Sequence, residues 1–214
     1  MGIAEVFYGH QGEGKTIGQP RLFIRVNGCN LSCRYCDSKF ALKKDSGRAL
    51  EEKDVTYDKW CVSGGEPVLN QKEVEEYITI YSPSWVEVET NGTIIPDSFL
   101  LNNVDLWNIS PKREADMIKK ESTTPNILSI INEVESLEDY IVKFVVEDEA
   151  DWDFVERMQE KYEIEKERIW VMPKSFFNER DDSLRIEVYE ESLRRQYNYS
   201  PRLHVMLFGN KKGV

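Results

Sequence analysis

The chain has 214 residues, 40% of them apolar, with 28 basic against 39 acidic side chains and a net charge of −11. That length and apolar content suit one α/β domain whose core needs no disulfide staples. The acidic balance excludes a broad phosphate-binding surface, since such affinity comes from lysine and arginine, and leaves a small molecule as the expected substrate.

The opening MGIAEVFYGH lacks a basic segment leading into an apolar run, so no secretory signal is read, and Val6 removes a myristoylation reading. No apolar stretch reaches the length of a membrane-spanning helix. Three of the four cysteines crowd into one loop, unlike a secreted disulfide framework, so a cytoplasmic, reducing compartment is expected.

In chain order, RLFIRVNG (21–28) reads as a strand leading into GCNLSCRYCDSKF (28–40), which holds Cys29, Cys33 and Cys36. The stretch 41–59 shows no sustained apolar helix period. WCVSGG (60–65) reads as a second strand, followed by a helix over NQKEVEEYITIY. WVEVET (85–90), VDLWNIS (104–110), YIVKFVV (140–146) and RIWVMP (168–173) read as four more strands. Between the last two, Trp152, Val155, Met158 and Tyr162 recur at helical spacing, and DDSLRIEVYEESLRRQY predicts a further helix. EVESLEDY and EKYEIEKER read as solvated helix faces.

Strands alternating with helices predict a parallel sheet, either open and doubly wound or an incomplete (β/α) barrel, with ligands at the carboxyl ends of the strands. NGCN, GGEP, ETNGT, SPK and MPKS each follow a predicted strand and so converge on one rim. In LFIRV, Arg25 faces opposite Leu22, Ile24 and Val26; a charge there needs a partner, and a ligand carboxylate is the expected one, with a glutamate salt bridge as the alternative. Cys61, inside a strand, reads as a buried structural thiol, and His204 as a satisfied core histidine.

The cysteine loop admits two readings. A structural zinc ion needs four ligands, the fourth coming from Cys61, His10, His204 or Asp37. An iron–sulfur cluster on three cysteines leaves one iron open to a substrate. CxxxCxxC after a strand, with Tyr35 before the third cysteine, resembles the signature of radical S-adenosylmethionine (SAM) enzymes. HQGEG (10–14), the cysteine block, GGEP, ETNGT, SPK, MPK and the tail RLHVMLFGNKKGV together resemble the 7-carboxy-7-deazaguanine synthase family along essentially the whole chain.

That resemblance implies an incomplete, trimmed parallel (β/α)6-type barrel over residues 1–214, with the C-terminal tail contributing to the site. It implies a 4Fe–4S cluster on Cys29, Cys33 and Cys36, with SAM against Tyr35, Cys36, Asp37, Gly64, Gly65, Glu66 and Gly92. Ser110, Pro111, Lys112, Met172, Pro173, Lys174 and Ser175 would close over SAM; for Lys112 an ordinary surface lysine is the alternative. His10, Gln11, Gly12, Arg25, Thr90 and the terminal carboxylate of Val214 would meet a pterin substrate. Ser38 stands where the family has threonine and would hold Mg²⁺. No side chain is expected as acid or base: the cluster and SAM carry the radical ring contraction of 6-carboxy-5,6,7,8-tetrahydropterin, with loss of ammonia. Flavodoxin or ferredoxin is the implied electron donor and a homodimer the implied assembly, with no direct nucleic-acid or membrane contact. The stretch 41–59 is shorter than the family's crossover, which predicts a barrel trimmed there. The competing readings are a glycyl-radical-enzyme activating enzyme and a noncatalytic zinc or iron–sulfur module.

Overall fold

The computed structural model describes residues 2–42, 47–118, 123–130, 139–174, 182–209, 211 and 213. The strands are β1 (Ile3–His10), β2 (Pro20–Val26), β3 (Lys59–Gly64), β4 (Trp85–Thr90), β5 (Leu106–Ile109), β6 (Tyr140–Val146), β7 (Ile169–Pro173) and β8 (Asn198–Tyr199). They form one sheet in sequence order, with β1 antiparallel to β2 and every later pairing parallel. The strands expected from sequence are β2 to β7, an unclosed parallel barrel wall. β1 and β8 extend it at each end, and both escape a periodicity search. β1 is mostly half-buried with no alternating burial, and β8 has two residues.

Period-two alternation gives the sheet two different faces. Leu22, Ile24, Val62, Val88, Trp107, Ile109, Val142, Phe144, Ile169 and Val171 point outward into the apolar core. The helices cover that face: α1 (Gln71–Tyr81), α2 (Ser98–Asn103), α3 (Glu149–Tyr162) and α4 (Asp182–Arg195). Val74 and Ile78 of α1, Leu100 of α2, Trp152 and Val155 of α3, and Val188 of α4 are buried there. The predicted helices correspond to α1, α3 and α4. α3 starts at a capping box, Asp148 accepting from the Asp151 N–H at 2.9 Å. α2 is too short for a periodic signal, and its local signature is the Asp97 cap, which accepts from the Leu100 N–H.

Between β2 and β3 the described residues contain no α-helix, as expected for 41–59, only 3₁₀ turns at Lys39–Leu42 and Glu52–Asp54. An Arg48–Asp54 ion pair braces this crossover internally, and hydrogen bonds from the Leu50 N–H to Tyr77 Oη (3.3 Å) and from Tyr81 Oη to the Leu50 carbonyl (3.1 Å) hold it on α1. At the open edge the chain returns through Ser200 and α5 (Leu203–Phe208). Ser200 Oγ accepts from the Gly14 N–H at 2.7 Å, and the Leu203 N–H donates to the Gly12 carbonyl at 2.9 Å. The C-terminal segment thus bridges the seam between β8 and the loop after β1. No helix among the described residues is long and apolar enough to cross a membrane.

Phe144 is 1% exposed and meets Phe154 of α3 edge-to-face, ring centroids 5.8 Å apart. Phe144→Ala is expected to cost about 3–5 kcal/mol of unfolding free energy. Urea denaturation of the two proteins measures it; a loss below about 1 kcal/mol contradicts this packing.

Candidate active site

The loops at the carboxyl ends of β2, β3, β4, β5 and β7 share one cleft, as the sequence predicts. Cys29, Cys33, Tyr35, Cys36, Asp37, Ser38, Gly64, Gly65, Glu66, Thr90, Ser110, Lys112, Met172, Pro173 and Lys174 line it, with His10, Gln11, Gly12 and Arg25. Pro111 and Gly92 do not. Gly92 instead supports the fold, its carbonyl accepting from the Ile127 N–H at 3.0 Å. Ser175 and Val214 lie outside the described residues.

The cysteine loop is anchored on three sides. The Glu66 N–H donates to the Gly28 carbonyl at 2.8 Å, and a Cβ at Gly65 would stand 2.0 Å from that same oxygen, so only glycine fits there. The Arg34 N–H donates to the Asp116 carbonyl at 2.9 Å, and the Ile118 N–H to the Ser32 carbonyl at 2.8 Å. Arg202 Nη2 pairs with Asp37 Oδ2 at 2.6 Å. Between these anchors the three thiols are half-buried, and none is in a disulfide.

The three sulfurs do not all come within 4.8 Å of one another. A single tetrahedral zinc with Zn–S of 2.3 Å draws sulfurs to about 3.8 Å apart. Cysteines that ligate separate irons of one cluster do not need to meet so closely. Burial pushes the Cys29 thiol up to about 12, against the Leu31 N–H, and it also raises Cys36. Bound metal would supply the positive charge that these thiolates need.

Over the cleft, Lys174 and Lys112 stand above the Tyr35 ring at 4.9 and 5.9 Å. Lys112 Nζ donates to Ser110 Oγ at 2.6 Å, and Lys174 pairs with Asp116 and Glu147 at 3.2 Å each. Glu66 is fully engaged by the protein. Its carboxylate accepts from Thr90 Oγ1 (2.6 Å) and from the N–H groups of Asn91 (2.8 Å) and Val68 (3.0 Å). Burial raises its pKa, and those donors oppose the rise. Thr90, expected at the substrate, spends its hydroxyl proton on Glu66.

Beneath the cysteine loop the inner face of the sheet is polar. Arg25 has a partner from the strand that sequence reading missed: Glu5 of β1, directly opposite in register, pairs with it at 3.2 Å. Arg25 Nη1 also donates to Ser38 Oγ at 3.2 Å, and Ser38 donates to Asp37 Oδ1 at 3.0 Å. The glutamate alternative is therefore realised, while Arg25 still lines the cleft. Gln11 is 2% exposed, and its amide nitrogen donates to Glu87 at 3.1 Å and Glu89 at 3.2 Å, and contacts the Cys61 sulfur at 3.5 Å. Cys61, Glu87 and Glu89 are the one set of three gathered metal-ligating groups among the described residues, and that amide already sits among them. Cys61 is completely buried, its pKa raised by burial and then by Glu89 and Glu87.

Sequence reading missed Glu13, Ser63, Glu89, Asn108, Lys143 and Arg202, all of which line the cleft. It also read His204 as core, and that imidazole is in the cleft wall. Lys143 Nζ meets Glu13 at 2.6 Å and Glu89 at 3.7 Å, and Arg202 Nε meets the other oxygen of Glu13 at 3.0 Å. Burial alone would raise Glu13 and lower Lys143, but the opposite charges outweigh it: Glu13 is held well below the usual carboxylate range and Lys143 above the usual lysine range. Burial lowers the pKa of His204. The available signal was a lone lysine in YIVKFVV and paired glutamates in WVEVET, inside runs otherwise rich in β-branched and aromatic residues.

An unclosed parallel barrel wall with three closely spaced thiols after its first parallel strand, opening on a cleft floored by fixed charges, is the arrangement that the resemblance to radical SAM enzymes implies. No protein-family model matches the chain. The 7-carboxy-7-deazaguanine synthase of Pyrobaculum aerophilum is 28% identical over 226 residues, covering 99% of this chain and 96% of that protein. The enzyme of that name from Clostridium acetobutylicum is 33% identical over 154 residues, 67% of each chain. The crystal structure of QueE from Escherichia coli superposes with a TM-score of 0.68 at 20% identity, over 94% of this chain and 93% of that one. The chain belongs to the 7-carboxy-7-deazaguanine synthase family.

Burial, and next the charge of Glu89, push the Glu87 carboxyl up to about 7, against Thr16, Arg21 and Lys143. Between an unfolded pKa of 4.5 and this raised value the native state holds a proton that the unfolded chain has released, so this group's contribution to stability falls as pH rises through that window. Glu87→Gln is therefore expected to gain about 2–3 kcal/mol relative to wild type between pH 5 and pH 8. Urea unfolding at the two pH values checks the sign; a gap that narrows towards pH 8 contradicts it.

Proposed function

We propose that this protein is a 7-carboxy-7-deazaguanine synthase, a carbon–nitrogen lyase that contracts 6-carboxy-5,6,7,8-tetrahydropterin to 7-carboxy-7-deazaguanine with release of ammonia. The observation that carries this reading is the shared cleft: thiols spaced for a cluster stand above, and a buried set of fixed charges suited to a small, polar substrate stands below. When bound, the 4Fe–4S cluster and SAM supply one-electron cleavage of SAM and hydrogen abstraction from the substrate.

In this reading Cys29, Cys33 and Cys36 would hold the cluster, with SAM bound beside it. Tyr35, Asp37, Gly64, Gly65, Ser110, Lys112, Met172, Pro173 and Lys174 wall the SAM side, while His10, Gly12 and Arg25 face the substrate. A substrate carboxylate would share the Arg25 guanidinium with Glu5. The protein's contribution is orientation and exclusion of water. Glu13 and Lys143 hold opposite charges far from neutral titration, so they position the substrate without exchanging protons. Glu87, which titrates near neutrality, does not line the cleft.

Mg²⁺ belongs to the same reading. Ser38 and Asp37 offer hard oxygen ligands, and the Arg25 guanidinium now donating to Ser38 would have to turn to the substrate carboxylate first. The reading further makes residues 1–214 a single radical SAM domain that works as a cytoplasmic homodimer, with flavodoxin or ferredoxin as electron donor.

Anaerobically reconstituted protein given SAM, a reductant and 6-carboxytetrahydropterin is expected to release ammonia and the deazapurine. SAM cleavage with the pterin left untouched sinks the substrate assignment in favour of an activating enzyme. For the ligand set, Cys33→Ala is expected to lose the cluster iron and its visible absorption while Cys61→Ala keeps both. Equal loss of iron in the two variants contradicts three-cysteine ligation.

A further inference from the structure

One layer of the inner face places four polar side chains at a common height across β2 to β5. Arg25 is level with Ser63, and Glu89 with Asn108; the Val62–Val88 pairing sets Ser63 beside Glu89. Three of the four are partnered. Arg25 has Glu5 and Ser38, Ser63 Oγ donates to Glu89 at 2.9 Å, and Glu89 accepts from Gln11 and faces Lys143. Asn108 is 0% exposed, yet neither its Nδ2 nor its Oδ1 has a hydrogen-bond partner. Asn27 is likewise unpaired at both ends and Asn70 at its Oδ1, but of these asparagines only Asn108 lines the cleft.

A buried amide with both ends unpaired is costly, and native structures keep few. Space behind it is closed: a Cβ on Gly14 would stand 3.2 Å from Asn108 Nδ2. On its other side Asn108 borders the cleft. An amide presents a donor beside an acceptor, and its complement is a ligand edge carrying an acceptor beside a donor, as a lactam or an aminopyrimidine does. Arg25 and Asn108 end the layer three strand spacings apart, roughly 14 Å along a curved sheet. With both side chains reaching inward, that span suits a bicyclic ring held by a carboxylate at one end and a polar edge at the other.

We propose that Asn108 is a specificity-determining residue that reads the paired donor–acceptor edge of the substrate's ring. This rests on the pterin reading above. A site with a buried amide awaiting its partner rejects an analogue that lacks the matching edge.

The test uses cluster-loaded protein with SAM and two ligands of similar shape: pterin-6-carboxylate, which has the polar edge, and quinoxaline-2-carboxylate, which lacks it. Asn108→Leu is expected to weaken pterin-6-carboxylate by about tenfold or more and to leave quinoxaline-2-carboxylate within about twofold, with SAM affinity unchanged. Losing an unpaired polar group, the variant should melt no lower than wild type. Asn108→Asp keeps the size but removes the donor, and should also weaken the pterin selectively; it decides the matter if the leucine variant does not fold. A folded variant that binds pterin-6-carboxylate as wild type does, or that loses both ligands equally, overturns the role of Asn108 alone. Wild-type protein that binds SAM but not pterin-6-carboxylate overturns the pterin reading and this inference with it.

Discussion

The ammonium of Lys143, taken out of water inside the sheet, sets the terms for the rest of the interior. A buried charge is tolerated only when it is paired and hydrogen-bonded, and Lys143 meets that condition through Glu13 at 2.6 Å and Glu89 at 3.7 Å. Each of those carboxylates then needs more than one partner. Glu13 takes Arg202, while Glu89 takes Ser63 and Gln11. The network therefore ties β3, β4 and β6 to the loop after β1 and to the C-terminal segment, across the seam where the barrel fails to close. Hydrogen bonding between β1 and β8 is not needed, because a lysine and an arginine converge on one glutamate there.

The same network reaches the cysteine loop. Arg202 binds Glu13 with Nε and Asp37 with Nη2, so one guanidinium joins the floor of the cleft to the residue after Cys36. The loop is also seated on the turn after β3, where Gly65 leaves space for the Gly28 carbonyl, and on the segment after β5 through Asp116. The cysteine loop and the floor of the cleft are thereby linked through rigid, paired groups.

Much of the fold was legible because the outward positions of β2 to β7 are apolar and carry a strand signal, and three helices bury an apolar stripe. The cysteine loop and the rim loops were legible because their residue types and spacing are local. Other features depend on distance in the chain. β1 lacks alternation, so Glu5 could not be foreseen as the partner of Arg25. In ETNGT, Thr90 lines the cleft and donates to Glu66, whereas Gly92 stays out of the lining and receives the Ile127 N–H. Gln11 likewise braces Glu87 and Glu89 from beneath.

WVEVET shows where the division falls. Its alternation determines that Glu87 and Glu89 share one face and Val86 and Val88 the other, since successive strand side chains point to opposite sides. The same pattern describes a half-buried strand with its glutamates in water. Only the tertiary structure decided that the acidic face turns inward: the wall curves, the loop after β1 covers its lower end, and Lys143, Arg21 and Gln11 arrive from other strands and loops to pair the carboxylates. By itself the sequence determined which residues gather at the rim, because cysteine spacing and turn glycines are local properties. The chemistry of the floor was decided by folding, because there each charge is acceptable only in the company of residues far away along the chain.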